Sequence, residues 1–192
     1  GIAGSGYRYL AFTNAGAVAM AIEKTSWDVR ATVANMPGLA VDTWCCVAAV
    51  HDTGGANGDQ KLYCGTLTAL LTEASAYASQ NVGTGSPGSN AAAAQILGNK
   101  SNNSGNAESD LGPVQIYNRV LSLGEIQSLQ FDMAWRRLSG CVLWVNCGDA
   151  GTGTQPDLSG NGNNGTVTGA TQSNNPPLSR RRIIPQFPYA VS

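Results

Sequence analysis

This chain is short of charge, of histidine and of glutamate. Asp, Glu, Lys and Arg together make up 12% of its 192 residues, against roughly 25% in ordinary soluble domains. With 11 basic and 12 acidic residues the formal net charge is −1, which argues against the broad basic surface that a nucleic-acid partner demands. The local exception, Arg180-Arg181-Arg182, reads as a solvated tail or a contact with a neighbouring subunit. His51 is the single histidine, so triad chemistry would rest on it alone, and His51-Asp52 at a loop mouth reads as a turn feature. Glutamate occurs only at positions 23, 73, 108 and 125. None lies in a Glu-x-Asp-x-x-Glu strand, the pattern that would set facing carboxylates across a glycosidic bond. No glycine-rich loop stands between a strand and a helix to cradle a phosphate. The expectation is a protein that is not an enzyme. Apolar runs of about 18 residues are also missing, which excludes a transmembrane helix. No charged-then-apolar leader opens the chain, and Gly1 in place of Met suggests processing or excision from a longer precursor.

Other residue types are plentiful. Hydrophobic residues reach 42%, and 24 glycines are spread along the chain, a combination that favours a cored domain of many short strands over disorder or long helices. The five cysteines, Cys45, Cys46, Cys64, Cys141 and Cys147, form no CxxC pair. That spacing speaks against zinc and leaves two readings: buried small hydrophobes, or a cross-strand Cys46–Cys64 bridge.

Patterning predicts strands over 7–13, 17–23 and 27–34, then a turn at Met36-Pro37-Gly38. The stretch 43–50 is apolar on both alternating faces, which predicts a central strand. It returns through a turn-rich loop as 60–67, making a hairpin. Residues 79–90 and 100–109 read as polar loops, with a short strand at 95–99 between them. A strand over 112–117 precedes the one persuasive helix. That helix opens on Ser122 with Glu125 three residues on, the spacing at which each side chain reaches the other's exposed backbone N–H. Leu123, Ile126, Leu129 and Met133 supply its apolar stripe. Strands at 141–146 and 166–168 flank a glycine- and asparagine-rich loop at 157–165. The tail over 172–192 carries Pro176, Pro177, Pro185 and Pro188 and reads as extended.

Three stretches together resemble the laminin-G-like, concanavalin A-like jelly-roll family. Residues 44–65, WCCVAAVHDTGGANGDQKLYCG, are similar to its central hairpin, in which a Trp-led strand ends in an Asp-bearing loop and returns as Leu-Tyr-x-Gly. Residues 96–99 and 110–129, ILGN and DLGPVQIYNRVLSLGEIQSL, are similar to its closing strands, cap and helix. Residues 142–171, VLWVNCGDAGTGTQPDLSGNGNNGTVTGAT, are similar to its opening turn. The resemblance covers about half of the chain and implies an all-β antiparallel jelly-roll sandwich with one short helix. The order departs from the family, since the opening motif lies after the closing helix. The sandwich is therefore either circularly permuted within residues 1–171, which compact domains tolerate, or shares a strand with a neighbouring subunit.

What the resemblance implies for function follows the same residues. Domains of this family hold calcium at the sandwich rim, and Asp157, Asn161 and Asn163 are the oxygen-bearing candidates; plain turn chemistry is the other reading of Asp-Leu-Ser-Gly-Asn-Gly-Asn. Trp27, Trp44, Trp135 and Trp144 lie in apolar contexts that suit core packing, leaving Tyr77 as the one aromatic beside a polar loop. The LSLGEIQSL segment followed by Trp135-Arg136-Arg137 is similar to units in phage structural and bacterial surface proteins. The expected role is a non-catalytic virion decoration, coat or tail module that self-assembles or joins other coat subunits at a virion or extracellular surface, with Arg180, Arg181 and Arg182 as assembly contacts. The alternative is a calcium-assisted, glycan-binding lectin-like domain.

Overall fold

The computed structural model describes residues 8–12, 18–22, 29–33, 43–52, 60–81, 97, 110–132, 136–147 and 153–171. In chain order these form β1 (Arg8–Phe12), β2 (Val18–Ile22), β3 (Val29–Val33), β4 (Cys45–His51), β5 (Gln60–Thr66), β6 (Thr72–Glu73), β7 (Ser79–Asn81), β8 (Val114–Tyr117), α1 (Leu123–Gln130), β9 (Cys141–Val145), β10 (Gly153–Gln155) and β11 (Gly165–Val167). Every pairing is antiparallel. The sheets run β1-β2-β3-β7, β4-β5-β6, β8-β9 and β10-β11, so the all-β class with one short helix holds. The helix at 123–130 is too short to span a membrane, and no other described helix is long and apolar enough to do so.

Strand alternation explains where the core lies. Cys45, Val47 and Ala49 of β4 pack on a cluster made by Val18 and Met20 of β2, Leu62 and Cys64 of β5, and Ala74. Cys46, Ala48 and Val50 point the other way, onto Tyr63, Leu71 and Ile126 of α1. The two-faced apolar character read from 43–50 is thus real: one face meets the first sheet and the other meets the helix. Its central position is not seen among the described residues. Among the described residues β4 pairs only with β5, and β5 is flanked on both sides. Leu62 of β5 and Leu71 just after it are fully buried, each contributing about 1.5–3 kcal/mol by removal from water.

The same alternation rules out the Cys46–Cys64 bridge. Cys46 stands opposite Gly65 and Cys64 opposite Val47, so the two sulfurs project from opposite faces of the sheet, and both are free thiols. Residues 79–81, expected in a loop, form β7 against β3; ladder hydrogen bonds from a neighbouring strand suffice for so short a polar edge. The strand β10, absent from the sequence reading, likewise forms by pairing with β11. The segments 95–96 and 98–99, the loop 100–109, the turn at 36–38 and the tail 172–192 lie outside the described residues, as do Trp27, Met133, Trp135, Arg180, Arg181 and Arg182.

Helix α1 begins as its sequence dictates. The Ser122 hydroxyl accepts from Glu125 N at 3.3 Å, and the Glu125 carboxylate accepts from Ser122 N at 2.9 Å. Arg119 grips the same carboxylate from two nitrogens at 2.6 and 3.1 Å. Leu121, just before the cap, shares the second cluster with Ile126, the staple arrangement that sets the angle of entry. The apolar stripe differs from expectation at one residue. Ile126 and Leu129 are buried, whereas Leu123 is 43% exposed, because Leu121 takes the core position at that end. The buried face is completed instead by Gln130. Its Oε1 accepts from Leu71 N at 2.7 Å, and its Nε2 donates to Thr66 O at 2.8 Å and Ala69 O at 2.7 Å. Gln127 adds a donation to Leu71 O at 2.8 Å. Two amides therefore clamp the 66–71 turn onto the helix and satisfy backbone groups that no ladder reaches.

Candidate functional site

The 157–163 loop is built against the edge of β9 that faces away from β8. Tyr117 stands opposite Cys141 and Ile116 opposite Leu143. Val142 is therefore the extra residue of a β-bulge, and its carbonyl meets the loop at the same edge of β9 as both backbone groups of Trp144. Three loop side chains converge on that oxygen. Asn163 Nδ2 donates to it at 2.9 Å and Asn161 Nδ2 at 3.3 Å, and the Ser159 hydroxyl oxygen lies 3.3 Å away. Asn161 Nδ2 also reaches Cys141 O at 3.1 Å. Gly160 and Gly162 adopt φ of +88° and +76°, left-handed conformations that glycine accepts without strain and that turn the intervening asparagine inward.

Asp157 is the hub. Its Oδ1 accepts from Trp144 N at 3.0 Å and Ser159 N at 2.9 Å, and its Oδ2 accepts from the Ser159 hydroxyl at 2.8 Å and Asn163 N at 3.0 Å. Leu158 N donates to Trp144 O at 2.7 Å, so residues 157–158 bond both backbone groups of Trp144 along the outer edge of β9. Asn164 Oδ1 accepts from Asp157 N at 2.9 Å. Arg137, arriving before β9, donates from Nη1 to Ser159 O. The result is a polar clasp that covers a strand edge, the part of a sheet most open to unwanted pairing.

The electrostatics agree with this geometry. Burial opposes ionisation of Asp157, but donation from Trp144 N, the Ser159 hydroxyl and N–H, and Asn163 N outweighs it and holds the carboxyl down at about 2. Glu125 is also held at about 2, first by the Arg119 guanidinium and then by the Ser122 N–H. Both folded values lie below the ordinary carboxylate range of about 4. Each group therefore adds stability that is complete above pH ~4 and lost as pH falls toward ~2. Denaturant midpoints measured across that window should drop steeply for the wild type and less steeply for Asp157→Asn. An equal drop in both would remove Asp157 as the source.

The sequence candidates fare differently. Asp157, Asn161 and Asn163 are brought together, as their spacing suggested. The contacts they make are those of a turn: the carboxylate oxygens meet four donors, and both asparagines present Nδ2 to backbone carbonyls. A cation at Asp157 would have to displace those donors. Tyr77 packs against the first cluster, accepts from Leu62 N at 3.0 Å and donates to Glu73 at 3.4 Å; it is a core tyrosine with a hydrogen-bonded tip. Trp44 and Trp144 are half-buried. No group of three or more His, Cys, Asp or Glu suited to a metal occurs among the described residues. Ser159 and Arg137 were missed as partners of the clasp, although Ser two residues after Asp is a recognisable local hydrogen-bonding pattern. Gln130 and Gln127 were missed as well; position 130 shares the buried face with 126 and 129, so a glutamine there signalled a buried polar contact.

Compared with family models, curated proteins and solved structures, the chain matches none of them.

Proposed function

We propose that this protein is a non-catalytic structural module of a virion or extracellular surface, built as a concanavalin A-like jelly roll and assembling with copies of itself. The observation that carries the reading is the clamped 66–71 turn. The Thr66 hydroxyl accepts from Thr68 N at 3.2 Å and Ala69 N at 3.0 Å, and Gln130 locks the same turn to α1. This rigid turn displays Leu67 at 43% exposure and Leu70 at 54%. Two apolar side chains held outward on a preorganised support lose little conformational freedom on contact, which favours association. The investment of Asp157, Ser159, Asn161 and Asn163 in covering β9 fits the same role, since those polar groups serve the fold. Closure of the 157–163 loop on β9, and of β9 on β8, favours the permuted arrangement over strand exchange. The tail over 172–192, with Arg180, Arg181 and Arg182, is proposed as a second contact with neighbours.

Light scattering on the eluting full chain is expected to report an oligomer. Leu67→Ser with Leu70→Ser, and separately removal of 172–192, should each shift it toward monomer. A monomeric wild type at high protein concentration would sink the proposal.

Calcium-assisted glycan binding is the second reading, favoured by the convergence of Asp157, Asn161 and Asn163. It requires a calcium-dependent rise in melting temperature that is absent from Asp157→Ala. No change with calcium would remove it.

A further inference from the structure

Cys45 and Cys64 lie on one face of the β4–β5 ladder. Cys45 is opposite Thr66, and Cys64 is opposite Val47, so the two cysteines are diagonal neighbours on adjacent strands. Both belong to the cluster between the two larger sheets. The two thiols act on each other, each shifting the other's ionisation in the opposite direction. Cys64 is only 5% exposed, whereas Cys45, the first residue of β4, is half-buried. Cys46, adjacent in sequence, faces the helix side and is removed from the pair.

We propose that Cys45 and Cys64 are an oxidisable pair that closes into a reversible cross-strand disulfide when the protein meets a peroxide. The partially accessible Cys45 is the attacking sulfur. The Cys64 thiol beside it outweighs burial and draws the Cys45 thiol below the ordinary thiol range, which favours its thiolate. Burial, with the neighbouring Cys45, pushes Cys46 up to about 12, so Cys46 remains an inert thiol. The Cys45 thiolate attacks one peroxide oxygen. An S–O bond forms as the O–O bond breaks, and the departing hydroxide takes a proton to become water. The Cys64 sulfur then attacks the sulfenic sulfur of Cys45. An S–S bond forms, the S–O bond breaks, and the Cys64 proton leaves with the hydroxyl as a second water. Two thiols are oxidised by two electrons in all, and one peroxide is reduced. Diagonal neighbours start with Cα atoms about 7–8 Å apart, and a disulfide draws them to within about 6.8 Å. The bond therefore pulls the ladder slightly from its relaxed register, which makes it easier to reduce than a relaxed structural disulfide.

The test uses the 192-residue chain with hydrogen peroxide. Before oxidation, iodoacetamide at neutral pH should label Cys45 roughly tenfold or more faster than Cys46. After oxidation, peptide mapping should show a Cys45–Cys64 cross-link that dithiothreitol removes, and Cys46→Ala should retain it. Cys45→Ala should abolish the cross-link and leave Cys64 reduced. Recovery of Cys64 as a free thiol in oxidised wild type, or its linkage to a different cysteine, would overturn the proposal. Because the wild-type map alone decides, poor folding of a variant leaves the outcome intact.

Discussion

Gly65→Ala is expected to destabilise the protein by about 3 kcal/mol or more, the upper part of the range for overpacked cores. Gly65 sits in the middle strand of its sheet, facing Cys46 across the ladder, where any residue could adopt the backbone. Space is what forbids a side chain. A Cβ there would lie 2.6 Å from Gln130 Nε2, 2.7 Å from Leu71 N and 2.9 Å from Ala69 O. The 66–71 turn folds back over this position, and the Gln130 amide is inserted beside it. Relief would require moving the turn and breaking the bonds that hold it to α1. At this chain length a loss of that size lowers the melting temperature by roughly 6–12 °C. The companion variant Gln130→Ala should cost less, about 1–3 kcal/mol for stranded backbone groups. Combining the two should not restore stability, because the clashes with Leu71 N and Ala69 O are with backbone. Thermal melts of the three variants check this, and rescue of Gly65→Ala by Gln130→Ala would show that the backbone contacts do not matter.

Asp157→Ala is expected to cost a similar amount, about 3 kcal/mol, for a different reason. The substitution leaves Trp144 N, Ser159 N and Asn163 N without their acceptor, and hydrogen bonds to a charged group are worth about 1.5–3 kcal/mol each. Water replaces part of that loss, because the loop is half exposed. Asp157→Asn should fall between. Its amide keeps one acceptor for Trp144 N and Ser159 N, but it turns an N–H₂ group toward Asn163 N, which can only donate. Amide exchange at Trp144, Ser159 and Asn163 should accelerate in both variants, while exchange in the β4–β5 ladder is preserved. Uniform acceleration across the molecule would mean that the clasp does not open separately from the core.

Several features were legible in the residues because they depend on near neighbours. Alternation marked 43–50 and 60–67 as a hairpin, and the register of Cys45–His51 with Gln60–Thr66 follows it. Ser122 and Glu125, three apart, specified the start of α1, because capping is satisfied within one turn of chain. The Asp-Leu-Ser-Gly-Asn-Gly-Asn run announced a tight turn carrying oxygen and amide groups. Composition argued for many short strands, and the lack of an apolar run of about 18 residues argued against a transmembrane helix.

What tertiary structure decided concerns partners distant along the chain. Whether 43–50 or 60–66 lies in the middle of its sheet depends on where Thr72–Glu73 pairs, and alternation carries no information about that. The same holds for the cysteines: periodicity places Cys45 and Cys46 on opposite faces, but only the register selects Cys45 to meet Cys64. At the 157–163 loop, the sequence by itself determined a glycine- and asparagine-rich turn with one carboxylate. The structure decided what that turn is for, because it brings Asn161 and Asn163 onto the Val142 carbonyl and residues 157–158 onto both backbone groups of Trp144. Backbone groups on an uncovered strand edge invite unwanted pairing, and the loop folds onto that edge.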